Sequence, residues 1–300
     1  MEILTPRDVP LGGVRAMSVR RTLPQRHRTF VGAWCFVDHY GPDEVDPQGG
    51  MVVPPHPHTG LQTASWLFSG EVEHRDSAGH HAFVRPGELN LMTAGRGISH
   101  SEYSTPGTTL LHGAQLWLAL PDSDRDTAPT FEHYVPEPVS GEGWEARVFL
   151  GSLLGTSSPV RTYSPLLGAE LRVRAGTTLL VPVDPAHEHG LLLDSGSLTV
   201  GDEALKAHEL GYLEPGAATI PMTAAEDALV LLLGGPPFGE QIVMWWNFIG
   251  RDHDEVAGFR AHWQRLLDDG ADDRFSLPAD DPLPPLPAPA LPNARMVKRG

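Results

Sequence analysis

The sequence predicts an all-β protein with a duplicated body and one helix near its end. It contains 32 glycines and 29 prolines among 300 residues, and these separate short runs rich in Leu, Val, Phe and Trp that lack helical periodicity. Short apolar runs bounded by Gly and Pro are typical of strands in barrels and sandwiches. Such runs cover residues 63–74, 176–184 and 189–202. Within them, Ser69-Gly70 and Ser195-Gly196 are predicted to form hairpin turns.

A weak internal repeat divides the chain. Superposing Gly70 on Gly196 aligns ASWLFSGEV with GLLLDSGSL, and each segment is followed by a second turn marked by Pro and Gly. Such self-similarity indicates a duplicated structural unit. We therefore expect a first domain over residues 1–140 and a second over 141–275, with the boundary inside EPVSGEGW. Residues 276–300 are predicted to be an extended tail, either disordered or laid along the body, because Pro excludes regular helix and central strand.

The clear helix candidate lies at residues 252–270. Val256, Phe259, Trp263 and Leu266 recur at helical spacing, and Gly270 provides a stop signal. We expect this helix to cover a barrel or a junction between lobes.

Composition excludes several classes of protein. The formal net charge of -16 opposes direct binding of nucleic acid or of an anionic membrane, since both depend on clustered Lys and Arg. No apolar run is long enough to cross a bilayer, and the first residues lack a cationic and then apolar signal region. The single cysteine, Cys35, cannot form an internal disulfide, which fits a reducing compartment. We expect a cytoplasmic location.

Two short segments carry paired metal-ligand side chains. PPHPHTGLQT places His56 and His58 two residues apart, and TAGRGISHSEYS does the same for His100 and Glu102. On a strand, residues i and i+2 project from the same face. Two such strands facing each other inside a small barrel would gather three imidazoles and one carboxylate around one point. This donor set suits Fe(II), Mn, Co, Ni, Cu or Zn and leaves coordination positions open.

The same residues resemble the pirin family of the cupin superfamily. The resemblance rests on HPHTG, the PGEL turn and MTAGRGISHSE, and it extends from RDVPLGG near the start to GGPPFGEQIVMWWNFIGRDHDEVA late in the chain. It implies a bicupin, two stacked antiparallel β-barrels of jelly-roll type with a few short helices besides the late covering helix. It also implies one divalent metal in the first barrel, Fe(II) foremost, held by His56, His58, His100 and Glu102.

One position departs from the general cupin pattern. Many cupins have a metal-binding Glu four residues after the second histidine, where this chain has Gln62. Gln62 shares strand parity with His58 and could hydrogen-bond to a metal ligand, although a packed core amide is an equal alternative.

Other polar residues are weaker candidates. His112 and Gln115 interrupt an apolar run and could line the pocket or satisfy buried backbone. His187 and His189 repeat the His-x-His spelling, but the duplication aligns Pro182 and Asp184 with the first histidine pair. We therefore expect the second barrel to be metal-free.

The resemblance implies quercetin 2,3-dioxygenase activity, the oxidative ring cleavage of a flavonol or related enolisable aromatic by dioxygen. Glu102 could then also be the catalytic base that accepts the proton of the flavonol hydroxyl, with a bound water as the alternative acceptor. Family membership does not settle function. The alternative is a redox-responsive, metal-containing regulator that binds a protein partner, and acidic residues near the late helix suggest a basic one. The natural substrate stays open, and we expect a monomer.

Overall fold

A computed structural model of the chain describes residues 1–11, 17–45 and 50–300. The glycine pair of RDVPLGG, Gly12 and Gly13, lies outside the described residues. The described residues form 26 strands and one helix, so the all-β prediction is confirmed. The few short helices expected besides the late one do not occur in these ranges, where the Gly- and Pro-rich connections are turns and bends instead. No helix in the described ranges is long and apolar enough to cross a membrane.

The strands of the first part of the chain are Glu2–Leu4 (β1), Arg7–Leu11 (β2), Met17–Leu23 (β3), Trp34–Glu44 (β4), Val52–His58 (β5), Leu61–Ser69 (β6), Val72–Asp76 (β7), His81–Val84 (β8), Leu89–Thr93 (β9), Ile98–Ser104 (β10), Leu110–Ala119 (β11), Thr130–Tyr134 (β12) and Val139–Gly141 (β13). The later elements are Trp144–Leu150 (β14), Ser152–Leu153 (β15), Thr156–Ser157 (β16), Leu167–Val173 (β17), Thr178–Pro182 (β18), Glu188–Ser195 (β19), Leu198–Val200 (β20), Glu203–Leu205 (β21), Leu210–Leu213 (β22), Thr219–Ala224 (β23), Ala228–Gly235 (β24), Val243–Trp245 (β25), Phe248–Gly250 (β26) and His253–Asp269 (α1).

The chain forms two compact units, each drawn from separate stretches. Unit 1 consists of Met1–Asp8, Arg20–His39 and Tyr134–Phe238, and unit 2 of Val9–Val19, Tyr40–His133 and Gly239–Gly300. The predicted domains 1–140, 141–275 and 276–300 are continuous stretches defined by the repeated motifs and the tail. As a division of the sequence they stay a prediction.

Sheet order repeats between the two halves of the sequence. One four-stranded sheet has the order β5-β10-β7-β8, and a later one has the matching order β18-β23-β20-β21. The larger sheets repeat as well, with β9-β6-β11-β4 in one and β22-β19-β24-β17 in the other. The internal repeat seen in the sequence therefore corresponds to a repeated sheet pattern.

The predicted hairpin turns at Gly70 and Gly196 are wrong. β6 pairs with β9 and β11, whereas β7 pairs with β8 and β10. The chain thus crosses from one sheet to another at Gly70, and it does the same at Gly196 between β19 and β20. Gly70 has a φ of +89°, and a Cβ there would meet Leu110 O at 2.7 Å. Glycine is needed for a sharp crossing as much as for a hairpin, so the sequence signal is the same.

The late helix is confirmed. Asp252 is its N-cap and accepts a hydrogen bond from Glu255 N at 2.9 Å, and Gly270 ends it with a φ of +76°. Val256, Phe259, Trp263 and Leu266 are the buried face. This face packs in unit 2 against apolar residues of β25, β26 and the Pro-rich tail.

Candidate metal centre

The two histidine-bearing segments form neighbouring strands in unit 2. β5 pairs antiparallel with β10, so that His56 lies opposite His100 and His58 lies opposite Ile98. We expected two such strands to face each other inside a small barrel, and the structure makes them hydrogen-bonded neighbours in one sheet. Directly opposed residues on antiparallel neighbours hold their Cβ atoms about 5 Å apart, so adjacency brings the imidazoles together as effectively. A register shift follows His100, and Glu102 lies opposite Val53.

His56, His58 and His100 form one buried cluster. Each offers a ring nitrogen within 4.8 Å of those of the other two. The ring centroids lie 4.4 Å apart for His56 and His100 and 4.9 Å apart for His58 and His100. The Nε2 atoms of His58 and His100 are 3.1 Å apart. Trp117 packs edge-on against His58 at 5.1 Å and forms an apolar wall beside it.

Burial keeps the three imidazoles neutral. It lowers the pKa of His56 to about 4, and it lowers the pKa of His58 and of His100 well below the usual value. His56 Nδ1 lies 2.9 Å from the carbonyl oxygen of Pro54. This contact places the proton on Nδ1 and leaves a lone pair on Nε2. Neutral imidazoles with free lone pairs are the form that binds transition metals, so the donor set fits the metal that the sequence predicts.

Glu102 lies beside this cluster and shares His100 with it. Its carboxylate forms a second buried group with His100 and His74, whose ligand atoms lie within 4.8 Å of one another. Burial raises the pKa of Glu102, while the neighbouring His74 and a hydrogen bond from Ser65 act in the opposite direction. Ser65 Oγ lies 3.4 Å from Glu102 Oε1. The three predicted histidine ligands therefore form one group, and Glu102 belongs to a second group that shares His100 with the first.

His74 and Asp76 contact the candidate ligands and were missed by the sequence analysis. On β7, His74 lies opposite Glu102 and Asp76 lies opposite His100. His74 Nδ1 is 3.3 Å from His100 Nδ1, and His74 Nε2 is 3.4 Å from Asp76 Oδ2. Asp76 also lies 3.0 Å from Nδ1 of the partly exposed His80. The i and i+2 spacing of His74 and Asp76 is the signal that found the other pairs and could have found this one.

The pocket candidates have different surroundings. Gln115 Oε1 accepts a hydrogen bond of 2.8 Å from Ser65 Oγ, so Gln115 contacts the residue that borders Glu102. The Gln62 amide instead donates to Thr93 Oγ1 at 2.9 Å, which matches the core-amide alternative. His112 packs edge-on against Phe68. His112 does not belong to either of the two groups of ligand atoms around His100.

The second His-x-His segment does not form an equivalent centre. The rings of His187 and His189 lie 6.2 Å apart, and within the described ranges no group of three ligand side chains includes either residue. The interior of unit 1 is filled by apolar side chains from the corresponding strands, such as Val181 on β18 and Ile220 and Met222 on β23.

Comparison with known proteins agrees with this architecture. Residues 14–118 match the family described as Pirin, and residues 168–266 match the Pirin C-terminal cupin domain. A Pseudomonas aeruginosa protein named "Putative quercetin 2,3-dioxygenase" is 46% identical over 88% of this chain and 84% of its own length. A pirin-like protein of Caulobacter vibrioides is 35% identical over 82% of this chain and 88% of its own length.

A crystal structure of quercetin 2,3-dioxygenase from Acinetobacter baumannii has the same fold. It superposes with a TM-score of 0.91 and 38% identity, covering 98% of this chain and 96% of that chain. The two family matches together span more than half of the sequence, and they coincide with the two repeated sheet patterns. The chain is therefore a member of the pirin family, with a bicupin fold.

Proposed function

We propose that this protein is a metal-dependent dioxygenase that opens the ring of a flavonol such as quercetin, or of a related enolisable aromatic. The observation that carries the proposal is the buried cluster of three neutral imidazoles with a carboxylate at its edge. The resemblance to proteins named as quercetin 2,3-dioxygenases supports the choice of reaction. We place the reaction in the cytoplasm, with a small aromatic substrate and dioxygen as reactants and a monomer as the working form.

His56, His58, His100 and Glu102 would hold one divalent metal. Nitrogen donors with a single carboxylate suit Fe(II), our first choice, and also Ni, Mn, Co, Cu or Zn. Lewis acidity toward a substrate oxygen, with coordination positions left open, is the chemistry that such an ion supplies.

Glu102 is the proposed proton acceptor. Burial raises the pKa of this carboxyl, which makes it a stronger base toward the flavonol hydroxyl. While Glu102 is ionised, the Ser65 hydroxyl can donate to Oε1 of Glu102 at 3.4 Å; once Glu102 is protonated, the hydroxyl can turn its single proton to Oε1 of Gln115 at 2.8 Å. A Ser65 lone pair can therefore accept the proton that Glu102 acquires, which holds the protonated acid in place.

Metal analysis and quercetin decay test this proposal together. The protein would be purified without added metal or chelator, and its metal content and quercetin consumption in air would be compared with those of His58→Ala. We expect near-stoichiometric metal and metal-dependent decay in the wild type, with both lost in the variant. Bound metal without turnover would overturn the assigned reaction and keep the site. Absence of metal after reconstitution would overturn the site itself.

The regulator alternative has less support. The acidic residues near α1 suggested a basic partner, but several are engaged within the chain. Glu255 pairs with Arg125 and also lies by Arg251, and Asp254 pairs with Arg295. A metal-dependent partner in pulldowns with metal-loaded and metal-free protein would revive this alternative.

A further inference from the structure

The Pro-rich tail lies against the outer side of the strand that carries His100 and Glu102. Side chains alternate between the two faces of a strand. On β10, His100 and Glu102 face the histidine cluster, whereas Ser99, Ser101 and Tyr103 contact the tail. Each proposed ligand of β10 therefore has tail-bound neighbours on both sides in the sequence.

Asp281 makes the central contact. Its Oδ2 accepts a hydrogen bond of 2.5 Å from Ser101 Oγ, and its Oδ1 accepts one of 2.6 Å from Tyr103 OH. Ser101 and Tyr103 are the residues directly before and after Glu102. Asp281 Oδ1 also accepts Leu283 N at 3.1 Å, which holds the local turn of the tail. Hydrogen bonds to an ionised carboxylate are stronger than those between neutral groups.

The tail is fixed at a second point on β5. Leu286 N donates to Pro55 O at 2.8 Å, and Pro55 directly precedes His56. On its other side, Leu286 O accepts the indole Nε1 proton of Trp263 at 2.8 Å, and Ala288 N donates to Gln264 Oε1 at 2.8 Å. The tail therefore connects α1 to both ligand-bearing strands. Its prolines restrict the unbound conformations, which lowers the entropy cost of ordering it.

We propose that the tail is a strap that holds β5 and β10 in register for metal binding, with Asp281 as its positioning residue. The inference rests on the metal site proposed above. Ligand geometry has to be held to within about 0.5 Å for full affinity, and the strap contacts backbone or side chains directly beside His56 and Glu102. Linkage is reciprocal, so metal binding stabilises tail docking to the same extent that docking stabilises metal binding.

Neighbouring aspartates provide a matched test. Asp280 is exposed, whereas Asp281 is partly buried against β10. Co(II) affinity would be measured by titration for the full-length wild type, Asp280→Asn, Asp281→Asn and Asp281→Ala. Amide exchange at Leu286 would be followed with and without Co(II). We expect Asp281→Ala to bind Co(II) about 10-fold more weakly than the wild type, and its Leu286 amide hydrogen to exchange faster. Asp281→Asn should give values between those of Asp281→Ala and the wild type. Asp280→Asn should match the wild type in both quantities. Co(II) should slow exchange at Leu286 in the wild type.

Tyr103→Phe tests whether the hydrogen bond between Tyr103 and Asp281 itself supports metal binding, as distinct from a general effect of the tail. It removes the hydroxyl that donates a hydrogen bond to Asp281 and keeps the aromatic ring. If the contact carries the coupling, the Tyr103→Phe and Asp281→Ala effects on Co(II) affinity are non-additive in the double variant. Equal Co(II) affinity and equal Leu286 exchange in Asp281→Ala and Asp280→Asn would overturn the strap while leaving the metal site intact. A wild type that binds no Co(II), Fe(II) or Ni(II) would remove the proposed site and the strap's role with it.

Discussion

His100 is the residue through which the two ligand groups meet. Its Nε2 faces His58 at 3.1 Å and its Nδ1 faces His74 at 3.3 Å. Each nitrogen of the His100 ring therefore contacts another imidazole, and these contacts fix the orientation of the ring. Asp76 contacts His74 and orients it in turn. Carboxylate and histidine pairs behind a ligand commonly fix its ring orientation and raise its basicity.

Asp76→Asn is expected to weaken metal binding by about 10- to 100-fold. Asn keeps the oxygen that accepts Ala78 N and His80 N, so the turn is preserved while the charge facing His74 is lost. Titration with Co(II) measures the affinity, and the Co(II) absorption spectrum reports the changed ligand geometry. Asp202→Asn, on an exposed turn, is the matched control. An unchanged affinity and spectrum would show that Asp76 does not support His100.

Glu102→Gln is expected to retain much of the metal and to lower quercetin turnover by roughly 100- to 10,000-fold, because the amide cannot accept the proton. Metal content and the rate of quercetin decay would be measured on the same preparation. Glu137→Gln makes the same chemical change at an exposed position and should leave both quantities unchanged. Full activity in Glu102→Gln would eliminate this residue as the base.

At the scale of elements, one sheet supplies every ligand of the proposed metal site. β5, β10 and β7 are consecutive neighbours in the order β5-β10-β7-β8. Each contributes a pair at i and i+2, and the third pair, His74 and Asp76, supports the second. The strand pleat places all six side chains on one face, while the opposite face of β10 meets the tail.

The α1 cap can be tested apart from the metal centre. Asp252→Ala removes the acceptor for Glu255 N and is expected to lower the free energy of unfolding by about 1 kcal/mol. Thermal or urea unfolding measures the effect, and metal content should not change. The control is Asp268→Ala in the exposed last turn, where loss of a negative charge is neutral or stabilising by a few tenths of a kcal/mol. Equal destabilisation by both variants would contradict the capping role.

At the scale of the whole molecule, duplication produced two similar units with different interiors. In unit 2 the sheet of β5, β10 and β7 presents buried His, Asp and Glu side chains. In unit 1 the corresponding strands contribute Leu, Val, Ile, Met and Ala to a continuous core. A filled apolar interior stabilises by burial of nonpolar surface, whereas a buried polar cluster costs stability unless it is satisfied. The polar cluster of the proposed metal site therefore lies in unit 2.

At the same scale, the stability of unit 1 is expected to depend on pH. Burial, with the nearby His187, lowers the pKa of His189 to about 4, against about 6.5 in an unfolded chain. The unfolded state therefore binds this proton at higher pH than the folded state does. The free energy of unfolding should decrease as pH falls from about 6.5 to about 4. The test is urea unfolding of metal-free protein between pH 4 and pH 7. In His189→Gln, the slope of the free energy of unfolding against pH should decrease by the equivalent of up to about one bound proton. An unchanged slope would contradict the assignment.

The sequence by itself determined the features that depend on local geometry. Strand parity paired His56 with His58 and His100 with Glu102, helical spacing located α1 within one residue at each end, and the motifs identified the pirin family and the bicupin fold. These patterns are readable because the period of two along a strand and of 3.6 along a helix follow from the backbone alone.

Only the tertiary structure decided which strands are neighbours. The sequence signal at Gly70 marks a sharp change of direction, and it does not distinguish a hairpin from a crossing between sheets. The sequence likewise does not reveal that β5 is the neighbour of β10 or that His74 contacts His100. Nor does it reveal that Asp281 contacts Ser101 and Tyr103. Such pairings join residues up to 180 positions apart. They are selected by the packing of the complete sheets, because a strand's own side chains fit more than one partner.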